Sequence, residues 1–309
     1  MNLDVKAILK TYGILIAFLV ICAILAIMTP VFLRWANILN VVRQSSIYGV
    51  MAVGMTFVIL SGGIDLSVGS VLALAGVIAA GVATADMSLF MIVAAGLGVG
   101  LACGLFTGLM VTVAKITPFV VTLGMMSIAR GLTLIYSGGR PISGFTGAFR
   151  FIGGGAVFGI PFPIIILGFT VLVGWITLTQ TRLGRYTYAI GGNEETVKLS
   201  GINTNLYKTM VYVFSGVAAS MSALILTSRL NSAGPAVGQA YELDVIAAVV
   251  IGGTSLSGGR GSVWGTLIGA LLISVINNGM NLLGINPFFQ LVVKGGIIIG
   301  AVFLDRLRD

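Results

Sequence analysis

Histidine is absent from this 309-residue chain, and only 8% of its residues are charged. The first absence removes the usual zinc ligand and the usual acid–base group. The second excludes a water-soluble domain, which carries about 25% charged residues. There are only two cysteines, Cys22 and Cys103, both inside apolar runs. They read as small core residues rather than a disulfide or a metal pair. No G-x-x-x-x-G-K-[ST] pattern occurs, and no glycine is followed by lysine, so the chain carries no P-loop of its own. What is abundant is apolar: 57% of residues, gathered in runs that mark an integral membrane protein. A net charge of +8 would point to nucleic acid in a soluble protein. In a membrane protein it serves orientation, and no nucleic-acid partner is expected.

Apolar windows fall at about 12–33, 45–60, 68–84, 88–114, 118–136, 160–178, 210–226, 243–251, 263–276 and 288–304. The expected fold is an all-α polytopic membrane protein with about ten transmembrane helices. A crossing takes about 20 residues, so the second, eighth and ninth windows read as short spans that borrow polar flanks. The first window follows Lys6 and Lys10 like a signal peptide, but it is too long and lacks an A-x-A site, so a retained span is expected.

With both termini cytoplasmic, Lys6, Lys10, Lys115, Arg182, Arg185, Lys198, Lys208, Arg260, Arg306 and Arg308 fall inside. Arg34, Arg43, Arg140, Arg150 and Arg229 fall outside, and Arg130 and Lys294 lie within spans. That inward excess supports the orientation.

Two polar segments interrupt the spans. Residues 137–159 form a glycine-rich external loop. Residues 181–203, T-R-L-G-R-Y-T-Y-A-I-G-G-N-E-E-T-V-K-L-S-G-I-N, are cytoplasmic and carry helix signals. Asn193 is a candidate N-cap, Glu194 and Glu195 suit a helix N-terminus, Lys198 suits its last turn, and Gly201 its C-cap. With apolar Val197 and Leu199, this short helix reads either as a docking element or as an ordinary connection. Gly96, Gly100, Gly104 and Gly108 recur every four residues, a stripe that lets another helix approach closely.

One pattern occurs twice. Gly62-Gly63-Ile64-Asp65-Leu66-Ser67-Val68-Gly69 matches Gly252-Gly253-Thr254-Ser255-Leu256-Ser257-Gly258-Gly259 at five positions, and Ser70-Val71 is matched by Ser262-Val263 after two inserted residues. The chain reads as an internal duplication. The first half is about 1–180, the cytoplasmic loop about 181–208, and the second half about 209–309. Gly-interrupted segments at corresponding places in two halves point to a transport pathway, which makes Ser61, Asp65, Ser67, Thr254 and Ser255 candidate lining residues. The alternative is a capped, packed turn, in which Asp65 caps the following helix. Asp65 has no acidic counterpart, since Ser255 takes its place. Asp65, Glu242 and Asp244 are the acids near spans, all at predicted ends, which disfavours ion coupling. Arg130 either snorkels outward or sits in a buried pair or lining position. Asn277, Asn278 and Asn281 either bind sugar hydroxyls on the path or cap a helix end.

Residues 51–70, M-A-V-G-M-T-F-V-I-L-S-G-G-I-D-L-S-V-G-S, and the segments 183–203 and 241–271 together resemble the permease subunits of bacterial monosaccharide ABC importers. The resemblance runs over nearly the whole chain and is loosest in the external loop. It implies a subunit of the bacterial inner membrane that is not itself an enzyme and binds no cofactor or metal. Its partners would be a second copy of itself, a cytoplasmic ABC ATPase, and a periplasmic or lipid-anchored sugar-binding protein. Ribose stands first among the implied cargoes, with xylose, galactose and allose as others. The resemblance makes the cytoplasmic segment a coupling helix at the ATPase interface, with Arg182, Gly184, Arg185, Asn193, Glu194, Glu195, Val197, Lys198, Ser200 and Gly201. It assigns Arg140 and Arg150 to docking of the binding protein. The competing reading is an ion-coupled secondary sugar carrier that works without an ATPase.

Overall fold

The computed structural model describes residues 5–145 and 147–306; Arg308 lies outside the described residues. The elements in order are α1 (Val5–Met28), α2 (Trp35–Leu60), α3 (Val68–Thr84), α4 (Leu89–Thr112), α5 (Pro118–Ser137), α6 (Gly147–Gly154), α7 (Phe162–Gln180) and α8 (Arg182–Leu199). They continue with α9 (Thr204–Leu230), α10 (Tyr241–Ile251), α11 (Val263–Leu282) and α12 (Pro287–Arg306). Among the described residues, four two-residue strands make two small antiparallel pairs, β1 (Ile142–Ser143) with β4 (Ser232–Ala233) and β2 (Ala156–Val157) with β3 (Ile160–Pro161). The chain is an all-α polytopic membrane protein. Among the described residues, six helices are long and apolar enough to cross a bilayer: α2, α4, α5, α7, α9 and α11.

All ten apolar windows coincide with helices, and the second and ninth extend through polar flanks as expected. α2 has 26 residues and α11 has 20, so neither is short. Hydropathy treated Asn37, Asn40, Arg43 and Gln44 as flank, whereas they lie inside α2. Asn37, Arg43 and Gln44 are half-buried there, whereas Asn40 is exposed and accepts a hydrogen bond from Arg229. Arg43 is therefore inside a helix and not in an external loop. α10 is short, 11 residues, or about 16 Å at roughly 1.5 Å per residue, half a bilayer core.

α2 and α9 form the centre. Every residue of α2 from Ser45 to Leu60 is buried, and so is most of α9 from Ala218 to Ser228. α4 packs on α9 through the glycine stripe. A Cβ at Gly100 would strike the Gly216 carbonyl oxygen and Ser220, and one at Gly104 would fall 2.5 Å from the Tyr212 carbonyl oxygen. The small residues bring two backbones together as the spacing led one to expect. The outer helices present Ile27, Phe90, Phe106, Phe169 and Phe288 outward, an apolar surface suited to lipid and not to water.

The segment read as a glycine-rich external loop contains α6. Its Phe149 is fully buried against α9, where Ser228 Oγ donates to the Phe149 carbonyl and accepts from the Gly153 amide, both at 2.7 Å. Its glycines hid this helix from propensity arguments.

The paired turns and the helix docked on them as a candidate functional site

The two copies of the Gly-Gly pattern fold into the same local device. At the end of α2, Gly62 takes φ +78, its amide donates to Ile59, and the next amide, Gly63, reaches back to Val58. At the end of α10, Gly253 takes φ +89, its amide donates to Val250, and the Thr254 amide reaches back to Val249. Both are helix stops in which a left-handed residue turns the last free carbonyls inward, and glycine adopts that conformation without strain. The left-handed residue is the first glycine in one copy and the second in the other.

The following residues repeat as well. Asp65 Oδ1 accepts from the Ser67 amide at 2.9 Å, and Ser255 Oγ accepts from the Ser257 amide at 3.3 Å. A serine thus replaces the aspartate while keeping the bond to the residue two ahead. Asp65 does more than this turn requires. It also accepts from Ser67 Oγ at 2.6 Å and, through Oδ2, from Ser215 Oγ of α9 at 2.8 Å. Its expected role as the cap of α3 is corrected: Ser67 is the N-cap residue, and Asp65 joins the turn to α9.

The two turns meet. The Gly259 amide donates to the Leu60 carbonyl at 2.9 Å, and α8 lies over the junction. A Cβ at Gly191 would fall onto the Leu60 carbonyl oxygen and the Gly259 amide, whereas one at Gly192 would meet nothing within 4 Å. Tyr188 Oη, one turn earlier on α8, donates to the Gly261 carbonyl at 2.8 Å. One helix therefore touches both copies of the repeat.

α8 is longer than the expected helix. It starts at Arg182, capped by Thr181 Oγ1, which accepts from the Gly184 amide, and it breaks at Asn193, whose φ is −162. Asn193 Oδ1 accepts from the Thr196 amide at 2.9 Å, the cap that the sequence indicated. Gly201 closes the second part with φ +78, its amide bonded to Lys198. Residues 182–192 were missed as helix because Gly184, Gly191 and Gly192 argue against one, and tertiary contact decides instead. Gly184 packs directly on the backbone of Thr177 and Leu178.

α8 shows a polar, solvent-facing side. Arg182 and Arg185 in its first part are exposed, as are Glu195, Lys198, Leu199, Ser200 and Gly201 at and beyond the break, while Val197 is buried against the subunit. Glu194 pairs with Lys198 at 2.8 Å and with Lys208 of α9 at 2.9 Å. Partial burial pushes its carboxyl up, but hydrogen bonds and charge from the two lysines outweigh this and hold it below the ordinary range.

Ser61, Asp65, Ser67, Thr254, Ser255, Asn277 and Asn278 are all buried in the packed subunit. Asn278 and Asn37 exchange side-chain hydrogen bonds at 2.9 and 3.0 Å, tying α11 to α2, and Asn281 accepts from Gln290 of α12 at 3.0 Å. Arg140 and Arg150 are exposed. Their segment sits beside the C-terminal end of α9, through the β1–β4 pair and Ser228, away from the turns. Sequence reasoning missed the pair formed by Lys294 Nζ and the buried Asp244 Oδ2, 2.7 Å apart. Its available signal was the lone lysine within a span.

Relatives of this chain are known by name. The ribose import permease protein of Escherichia coli (strain K12) is 47% identical over 98% of this chain and 96% of its own length. That of Bacillus subtilis (strain 168) is also 47% identical, over 98% and 94%. The D-allose transport system permease protein of Escherichia coli (strain K12) is 40% identical over 96% and 91%. No solved structure matches. The family model that matches spans residues 37–302, from α2 into α12 and so through both turns and α8. The chain belongs to the family described as the permease component of the branched-chain amino acid transport system.

Proposed function

We propose that this chain is the membrane-spanning permease subunit of an ATP-driven ABC importer, and that it carries a monosaccharide, ribose. The observation that carries the mechanism is one helix, α8, seated on both halves of the duplication with its far side open to solvent. A helix so placed transmits a push from a partner to both repeats at once. With no P-loop in the chain, the partner is a cytoplasmic ABC ATPase that engages the second part of α8, Asn193 to Gly201, as the coupling helix.

The family description names an amino acid and the relatives name sugars, so cargo is argued from the relatives. Two ribose permeases from different organisms are equally similar to this chain, and an allose permease from one of those organisms is less so. Similarity sorts by cargo and not by organism. A periplasmic or lipid-anchored binding protein delivers the sugar, docking through the segment with Arg140 and Arg150. The end holding the turns and α8 is cytoplasmic, as the lysine and arginine distribution favours, with both termini on that side of ten spans. Two copies enclose the pathway in the bacterial inner membrane.

In operation, ATP closes the ATPase dimer, α8 moves with it, and the spans reorient around the path. The different affinities of ATP for the two states supply the bias. An ion-coupled carrier needs a carboxylate open to its path. Asp65 and Asp244 are both buried and engaged, which disfavours that reading and leaves Glu242 for the test. The test is uptake of radiolabelled ribose, xylose, allose and galactose into proteoliposomes holding chain, ATPase and binding protein. ATP-dependent uptake of ribose in preference to the others is expected. Uptake by the chain alone along an ion gradient would establish the carrier instead.

A further inference from the structure

Between α9 and α10 the chain does something costly. Beyond β4, residues 234–240 fold back without regular structure to the level of Arg130 in α5, and α10 begins only there. Irregular backbone at that depth persists only where it is buried in protein or lines a water-filled cavity. Here Arg130 of α5 satisfies part of it, Nη1 donating to the carbonyls of Pro235 at 2.6 Å and Val237 at 2.9 Å. Gly238, at φ +77, packs on the Gly69 carbonyl just past the first Gly-Gly turn. Ala240 then enters α10 at φ +62, a left-handed conformation that costs a non-glycine residue energy and is found at functional sites.

Beside this loop lies a cavity of about 470 Å³, within the range of small-molecule sites, about 300–1,000 Å³. Ser70, Ser127, Arg130, Gln239 and Glu242 line it together with apolar Met126 and Leu134, and it opens at the exposed Ser127 and Gln239. On the 20-residue α5, Ser127 stands ten residues from the end and Leu134 three, so the cavity runs from near mid-span toward that end. The described hydrogen bonds of Arg130 use Nη1, and a guanidinium has five N–H groups in all. A guanidinium, a carboxylate, an amide and hydroxyls cannot face hydrocarbon at that depth without large cost. They offer donors and acceptors of both kinds with charges of opposite sign, the chemistry of an uncharged polyhydroxyl ligand.

We infer that this cavity is a transit subsite on the pathway, where Arg130, Glu242, Gln239 and Ser127 exchange hydrogen bonds with the hydroxyls of the passing sugar. The inference rests on the transport reading above and adds the place and the residues. It also moves the path away from the asparagines of α11 and the turn residues, which are engaged in packing.

The experiment uses the complete complex in proteoliposomes, with Cys22 and Cys103 replaced by serine. Ser127→Cys, Gln239→Cys and, as a lipid-facing control, Phe106→Cys are then labelled with a charged, membrane-impermeant methanethiosulfonate. The expected result is labelling at 127 and 239 at least tenfold faster than at 106, slowed by ribose during turnover, with ribose uptake blocked afterwards. Labelling at both cavity positions no faster than at 106 overturns the inference. So does fast labelling that neither responds to ribose nor impairs uptake, which makes the cavity a wet crevice off the path. Either failure leaves ATP-driven uptake by the unlabelled complex intact, so it is distinguishable from failure of the transport reading.

Discussion

The Gly259 amide donates to the Leu60 carbonyl oxygen at 2.9 Å, joining two turns that lie nearly two hundred residues apart in sequence. Gly191 of α8 packs on the same bond from outside. A movement of α8 therefore reaches both repeats through backbone contact, with no flexible side chain between to absorb it.

Gly191→Val is expected to reduce ribose uptake more than tenfold, because its Cβ meets backbone on both sides and no rotamer change relieves it. Overpacking of this kind costs about 1–3 kcal/mol, so thermal stability in detergent falls as well. Gly192→Ala, at a position open to solvent, should leave both uptake and melting temperature near wild type. Equal sensitivity at the two adjacent glycines would contradict the docking described for α8.

The coupling segment should fail at its two ends in different ways. Asn193→Ala removes the bond to Thr196, at about 1 kcal/mol for a lost cap, and Asn193→Asp should restore it. Gly201→Val forces a β-branched residue into the left-handed region, at about 1–2 kcal/mol. Both should raise the ATP hydrolysed per ribose imported, measured in the same vesicles, while the ATPase remains bound. An unchanged ratio for both would remove this segment from coupling.

Ten windows of apolar sequence sufficed to locate ten helices, and the caps at Asn193 and Gly201 stood where their residue types indicated. Both are local effects. What could not be read were consequences of tertiary contact. The start of α2 lay hidden because Asn37 looks like loop until Asn278 is beside it. Residues 182–192 are helical against the propensity of three glycines because two of those glycines fit against other backbone. The cavity beside Arg130 required knowing that residues 234–240 fold back to its level. The repeat itself was visible, but not that its two copies bond to each other.

Asp244 and Lys294 give a double-mutant prediction. The carboxylate is 1% exposed and its lysine 17%. Lys294→Met should destabilise by about 3–5 kcal/mol, since it leaves a buried charge without its partner. Adding Asp244→Asn should recover much of that loss, as judged by chemical denaturation or thermal melting in detergent. Simple additivity of the two losses would mean that the pair does not hold α12 against α10.

Glu194 supplies a pH dependence. Its carboxyl is held below the ordinary range in the folded protein, so its ion pairs contribute fully above the unfolded value of about 4.3 and are lost as pH falls through the lower folded value. Hydrogen exchange over residues 194–204 should be unchanged from pH 7 to 5 after correction for intrinsic rates, and rise below about pH 4. Glu194→Gln should exchange faster at neutral pH and lose that acid-induced rise. An identical acid rise in the variant would assign it to another group.

The most direct test of the central claim is ATP hydrolysis by the reconstituted complex of chain, ATPase and binding protein, with ribose added last. The expected result is stimulation several-fold by ribose that disappears when either the chain or the binding protein is omitted. Hydrolysis indifferent to ribose, together with ribose uptake by the chain alone down an ion gradient, would contradict it.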